Sequence, residues 1–468
     1  MSNVISVVQA FDRALIREIP GDDDRALEAK LAAAERALRE RNSWLEPHRR
    51  GAILQRTASL LEAKQIHFAE LIAREGGKPL TDATVEVIRA IDGLRNAAEE
   101  LRHFGGREIP MGLTGASEGR WAFTTKEPIG VVAAISAFNH PLNLIVHQIA
   151  PAIAVGCPVI VKPAVPTPLS CLELVELFRE AGLDERWCQA FVTDDNALAE
   201  RLATDPRVAF LSFIGSARVG WYLRSKLAPG TRCALEHGGA APVIVDASAK
   251  LDRIIEPIVK GGYYHAGQVC VSTQRIFVHT DVLADFVERL AARVKSLRVG
   301  DPRLPETEVG PLIHPREADR VASWIHEAVE GGARLIGGGR PSETTLVPSI
   351  LIEPAADAKV SRLEVFGPVT CVYGFRELDE AIDVANSLPF AFQASVFSTN
   401  IGPALRAARR LDASAVMVND HTAFRTDWMP FAGRRQSGYG IGGIPWSMEA
   451  MSQEKMLVLR YDGLGLET

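Results

Sequence analysis

The strongest constraint on this chain is a strict alternation over residues 130–245. The runs "GVVAAIS", "PVIVKPA", "CQAFVT", "VAFLSFIGS" and "CALEHGGAAPVIV" are apolar and β-branched, as buried strands are. Between them, "PLSCLELVELFREAG", "NALAERLATD" and residues from about 217 to 227 carry apolar side chains at helical spacing. Strands separated by helices cannot close as hairpins. They pair in parallel, and a parallel sheet needs helices over both faces. The expected class is therefore α/β, with ligands bound beyond the carboxyl ends of the strands.

The flanking segments extend this pattern. Residues 22–104 read as helices, with "GGKP" punctuating the second. "RWAFTTKEPIGVVAAIS" reads as a strand, a break at Pro128 and a buried strand. A second α/β series follows, with helices near 249–270, 281–297, 316–331 and 377–387 and strands near 274–279, 369–374 and 415–419. The chain closes in a strand-like "KMLVLRYD".

Composition excludes several classes. A formal net charge of -6 argues against a nucleic-acid partner, which calls for a basic excess. The apolar stretch "LIVHQIAPAIAVGCPVIV" contains His147, Gln148, Pro151 and Pro158, and reads as buried helix, turn and strand rather than a membrane span. Cys157, Cys171, Cys188, Cys233, Cys270 and Cys371 are scattered, with no metal-ligand spacing, so no metal is expected. They read as reduced thiols, and the charged start "MSNVISVVQAFDRALIRE" does not read as a signal peptide, so the cytoplasm is the expected location.

Three stretches carry candidate chemistry. In "FLSFIGSARVG" a buried strand ends at Gly215 and a helix opens at Ser216 and runs past Gly220, a turn that suits a pyrophosphate. In "VKPAVPTP", Lys162 stands at a strand's carboxyl end, either facing a ribose or phosphate or simply solvated. In "GGYYHAGQVCVSTQRIFV", Cys270 follows Gly267 and Gln268, as an approachable nucleophile often does. "GYGIGG", with Gly438, Gly440 and Gly443, matches a dinucleotide fingerprint by spacing only, since too little chain follows for a βαβ unit.

Together these stretches resemble the aldehyde dehydrogenase superfamily along nearly the whole chain. "AISAFNHPLN" resembles its oxyanion segment, with Asn139 as the donor. "VIVKPAVPTPLS" resembles its adenosine-ribose segment, with Lys162 and Ala164. "FIGSARVG" resembles the nucleotide turn, with Gly215, Ser216 and Gly220. "ALEHGGAAPVIV" resembles the general-base segment, with Glu236, and "HAGQVC" the nucleophile segment, with Cys270. "EVFGPV" resembles the nicotinamide-ribose segment, with Glu364 and Phe366, and "MPFAGRRQSGYG" a C-terminal signature.

The resemblance implies a Rossmann-like cofactor domain (1–108 and 128–238), an α/β catalytic domain (239–445) and a small β oligomerisation arm (109–127 and 446–468). It implies NAD or NADP as cofactor and a homodimer or homotetramer. The chemistry agrees: a thiolate attacks an aldehyde, amide donors hold the oxyanion, and a carboxylate activates water against the thioester. Taken alone, Asn139 fits a helix cap at Leu142, and Glu236 fits an ordinary salt bridge.

Several positions depart from the pattern. Val165 stands where an acidic residue usually grips the ribose, which leaves NADP open; Ala240 replaces a frequent lysine; and the opening hairpin is missing, with "FDRALIREIP" the first recognisable part. Substrate contacts are expected from His140, Asn143, His147 and Val269, from Phe424, Arg425, Trp428 and Phe431 in "HTAFRTDWMPF", and from Arg95. Arg425 is either a carboxylate clamp or a surface loop charge. A short polar or anionic aldehyde fits best, while Val269 adds no cation for a phosphonate. The alternatives are a CoA-acylating dehydrogenase, which generally lacks the base that Glu236 resembles, and a cysteine hydrolase using Cys270 with His265 or His237.

Overall fold

The computed structural model describes residues 4–461. It opens on an antiparallel hairpin, β1 (Val4–Val8) and β2 (Leu15–Pro20). The expectation of a missing hairpin is therefore wrong. The strands' apolar residues are few because only one face is covered: Ile5, Val7 and Ile19 pack against Leu71, Leu169 and Val192 while the other face is open. Helices α1 (Asp24–Arg39), α2 (Pro47–Ala63), α3 (Gln65–Gly76) and α4 (Leu80–Glu100) follow. The second predicted helix is thus two, broken at Lys64 before the "GGKP" turn.

The short β3 (Glu108–Ile109) and the long β4 (Arg120–Pro128) lead into the predicted alternation. It consists of β5 (Val131–Ile135), α5 (Asn143–Val155), β6 (Val159–Lys162), α6 (Leu169–Glu180), β7 (Cys188–Ala190), α7 (Asn196–Thr204), β8 (Val208–Ile214), α8 (Ala217–Arg224) and β9 (Arg232–Glu236). Strands β9, β8, β5, β6 and β7 lie side by side in parallel. The order reverses between β5 and β8, so the loops after Ile135 and Ile214 flank a crevice at their carboxyl ends. Helix α5 is buried all round, which explains the apolar stretch once read against a membrane span. Among the described residues no helix is long and apolar enough to cross a membrane.

"CALEHGGAAPVIV" is two strands in two sheets. After β9 the chain crosses at Gly238 and Gly239 and starts β10 (Ala241–Val245). Then come α9 (Leu251–Tyr263), β11 (Thr273–His279), α10 (Thr280–Lys295), α11 (Pro315–Glu330), β12 (Arg334–Gly337), β13 (Ser349–Ile352), α12 (Lys359–Arg362), β14 (Val369–Phe375), α13 (Leu378–Ala385), β15 (Phe390–Ala391), β16 (Gln393–Phe397), α14 (Ile401–Arg410) and β17 (Ala415–Val418). The second sheet runs β12-β13-β14-β11-β10-β16-β17, parallel except at β12. The helix expected over 249–270 stops at Tyr263, because His265 and Ala266 take left-handed backbone angles.

The last elements return to the first sheet. β18 (Arg434–Arg435) pairs with β15, and β19 (Gly438–Tyr439) pairs antiparallel with β9. Helix α15 (Ile444–Ala450) packs through Ile444 and Met448 into the core around α5. The "GYGIGG" glycines belong to this closure and precede no crossover helix. β20 (Ser452–Arg460) zips along all of β4 and is the edge of a three-stranded sheet with β3. Residues 462–468 of the predicted arm lie outside the described residues.

Candidate active site

The two sheets face each other across one cavity of about 1390 Å³. Its wall carries Asn139 and His140 after β5, Gly215 and Ser216 after β8, Glu236 at the end of β9, and Cys270 just before β11. Asn143, Ala164, Val269, Glu364, Phe366, Phe424, Arg425 and Phe431 line the same space.

The loop that presents Cys270 is set by its neighbours. Gly267 has φ +70°, and a β-carbon there would lie 2.1 Å from the carbonyl oxygen of Gly367. Only glycine fits that angle and that gap without strain. Gln268 is buried; its Nε2 donates to the carbonyls of Pro311 (3.2 Å) and His265 (3.3 Å), and its Oε1 accepts from the Ile313 N–H (3.0 Å). The Gln268 carbonyl accepts from Asn139 Nδ2 at 2.9 Å. Asn139 does not cap α5. Glu86 does so, its Oε1 accepting from the N–H groups of Leu142 and Asn143.

Burial dominates the electrostatics. It pushes the Cys270 thiol up to about 12, with the Arg425 cation pulling the other way and the Glu236 and Glu364 carboxylates adding to the rise. Glu236 is also raised by burial, offset in part by Arg425. Its Oε1 points at Gly442, where a β-carbon would lie 2.1 Å away. Glu364 is pushed up to about 8 by burial, although it accepts from the Gly239 N–H at 3.1 Å.

Some predicted residues stand elsewhere. Arg95 is outside the cavity wall and pairs with Glu62 at 2.7 Å on the surface. Arg89, six residues earlier on α4, faces the cavity instead and holds Asp427. His147 is buried behind the wall, between Asp427 and Arg425. Trp428 is 56% exposed and does not line the cavity. Lys162 lies outside the wall, its Nζ 3.4 Å from the carbonyl of Pro163. Gly220 is absent from the wall too: a β-carbon there would lie 2.0 Å from His237 Cε1, so the glycine lets α8 close on that ring. Arg425 is no surface charge, since it lines the cavity with its guanidinium carbon 3.6 Å from the centre of the Phe431 ring.

The sequence reading missed Arg89, Asp427, Tyr264, Arg218, Glu317 and Arg320. All but Asp427 line the cavity. The hydrolase alternative finds no support: His237 Nδ1 bonds the Gly215 carbonyl at 2.9 Å, and both His265 ring nitrogens are buried without a partner.

A mobile-group crevice at strand ends, a half-accessible thiol and a buried carboxylate define a two-sheet oxidoreductase site with room for a dinucleotide and a small substrate. The comparisons give the family. Residues 1–457 match the model described as Aldehyde dehydrogenase family, and the chain belongs to that family. It is 39% identical over 429 residues to 3-sulfolactaldehyde dehydrogenase of Priestia megaterium, covering 92% of this chain and 89% of the relative. Aldehyde dehydrogenase 21 from Physcomitrella patens, solved in complex with the reaction product succinate, superposes with TM-score 0.95 at 31% identity, covering 100% of this chain and 96% of that one. Glyceraldehyde-3-phosphate dehydrogenase GapN from Methanocaldococcus jannaschii, complexed with NADP, gives 0.93 at 31% identity, covering 98% and 99%. The chain is an NAD(P)-dependent aldehyde dehydrogenase.

The raised thiol has a kinetic consequence. Well below its pKa, the thiolate fraction rises tenfold per pH unit. Alkylation of Cys270 by iodoacetamide, read by mass spectrometry on the cofactor-free protein, should climb by about tenfold per unit between pH 7 and 9. A plateau near pH 7 would contradict the burial argument.

Proposed function

We propose that this enzyme oxidises a small polar or anionic aldehyde to its carboxylic acid, with Cys270 as nucleophile, Asn139 as oxyanion donor and Glu236 as base. The observation that carries this reading is that all three line one cavity with Arg425. A bound nicotinamide supplies the hydride acceptor. Gly215, Ser216, Ala164, Glu364 and Phe366 fit the cofactor, because they line the space at the carboxyl ends of the first sheet.

The chain's own part is proton handling and orientation. Cys270 must lose its proton before it attacks, and Glu236 is the carboxylate placed to take it, directly or through a water. The new S–C bond turns the carbonyl oxygen into an oxyanion. Asn139 uses one Nδ2 hydrogen on Gln268 and keeps the other for that oxygen, beside the Cys270 N–H. The resulting thioester is then cleaved by water. Glu236 takes the water's proton, the carbonyl carbon gains the oxygen, and the C–S bond breaks to return the thiol. His140, Asn143, Val269, Phe424 and Phe431 shape the substrate end, and Arg425 meets its polar group.

Val165 and Arg218 support acceptance of NADP as well as NAD. Val165 offers no carboxylate to repel a 2′-phosphate, and Arg218 lines the same cavity without an ion pair among the described residues. A subunit partner is supported by β20, an edge strand whose Met456, Leu457, Val458 and Leu459 are exposed. We read 109–127 and 446–468 as the arm of a dimer or tetramer.

Three experiments test these readings. Cys270→Ala should abolish oxidation with cofactor affinity retained, and Glu236→Gln should slow turnover by about 10²-fold or more while keeping a burst of reduced cofactor; a vanished burst would move the base elsewhere. Val165→Glu should cut kcat/KM for NADP by about tenfold and spare NAD, from like-charge repulsion; equal losses would refute the NADP reading. Light scattering should give two or four chain masses, and one chain mass would remove the arm.

A further inference from the structure

The cations at the substrate end differ in how their charge is met. Arg89 grips Asp427 with two bonds, Nε to Oδ2 at 3.1 Å and Nη2 to Oδ1 at 2.8 Å. Lys260 pairs with Asp82 at 2.6 Å. Arg425 lines the same wall, yet no carboxylate lies within ion-pair distance of it among the described residues. Its contacts are neutral: Nη2 stands 3.3 Å from His147 Nδ1, and the guanidinium stacks on Phe431. Its Nε is sealed from solvent with no partner.

The state of His147 follows from its partners. Asp427 Oδ1 lies 2.6 Å from His147 Nε2, and a carboxylate accepts, so Nε2 carries the hydrogen. That leaves Nδ1 as a lone pair that accepts from Arg425. Burial, helped by the cations Arg425 and Arg89, pushes the imidazole down to about 4, so it is neutral at physiological pH. Asn143 Nδ2 also donates to Asp427 Oδ1 at 3.1 Å and helps to fix the carboxylate. Other groups facing this end add no counter-charge: burial holds His140 and His421 neutral and pushes Glu236 toward its neutral form. A desolvated guanidinium without a counter-ion is costly, and an arriving anion relieves that cost.

We propose that Arg425 anchors a single anionic group, carboxylate or sulfonate, on the aldehyde, and that Asp427 and His147 are positioning residues that aim its guanidinium while leaving its charge unmatched. This rests on the reading that the aldehyde is oxidised at Cys270. One unmatched charge favours a monoanion. A dianionic phosphonate or phosphate would find its second charge facing Arg89 and Lys260, both already paired.

The test uses the full-length enzyme with NAD or NADP and four aldehydes of matched length: 4-oxobutanoate, 3-oxopropane-1-sulfonate, 3-oxopropylphosphonate at pH 8, and butanal. The carboxylate or the sulfonate should exceed both butanal and the phosphonate in kcat/KM by about tenfold. His147→Ala should reduce that preference to about threefold or less, through KM rather than kcat. His147→Gln should restore most of it, since an amide both donates to Asp427 and accepts from Arg425. Turnover of butanal with no preference for a monoanion overturns the anchor alone. Loss of turnover on all four overturns the Cys270 chemistry and the anchor with it. A uniform fall on every aldehyde in both variants, with the ratios unchanged, overturns the positioning role and leaves His147 merely structural.

Discussion

The site depends on Gln268. It is buried, and its side chain ties the loop before Cys270 to Pro311 and Ile313, while its carbonyl receives Asn139 from the other sheet. The left-handed turn at His265, Ala266 and Gly267 leaves backbone groups that no helix or strand can satisfy. One amide supplies partners for several of them and couples the nucleophile's position to the oxyanion donor's. Leaving such groups unpaired in a buried site costs on the order of 1–3 kcal/mol each.

The same burial that fixes these groups suppresses their charges. Cys270, Glu236 and Glu364 are all raised by desolvation, so the resting cavity stores little negative charge. That arrangement suits a reaction that creates an oxyanion and then a carboxylate. Each transient negative charge meets donors and a cation rather than a standing anion. It also means that the thiol's proton must be moved on demand, which gives a neighbouring carboxylate its value.

How much of this was legible in the sequence depends on what each residue answers to. Cys270, Glu236 and Asn139 stand next to glycine, proline or a strand end, where backbone geometry is written into the residue type, and the cavity brings them together. The hairpin at residues 4–20 was not legible, because a strand pair with one open face lacks a dense apolar run. Arg95 was chosen over Arg89 because both sit on α4. Six residues turn a helix by about 600°, so the two point a third of a turn apart, and one sequence does not say which face looks inward. Helix α5 gave no phase at all: it is buried on every side, so the periodicity could not separate His147, behind the wall, from Asn143, in it.

Asp427 shows why composition near a site is a poor guide to its charge. It has the lowest-lying carboxyl in the cavity region: burial opposes ionisation, but the His147 hydrogen bond and the Arg89 cation outweigh it. Had it bonded Arg425 directly, the two charges would have cancelled and the cavity would present only neutral surface there. By reaching Arg425 through a neutral imidazole, the carboxylate transmits orientation without transmitting charge. A loop reading of "FRTDW" sees one arginine and one aspartate two residues apart and pairs them. The fold pairs the aspartate with an arginine 338 positions away, and that long-range exchange is what leaves Arg425 able to act on a ligand.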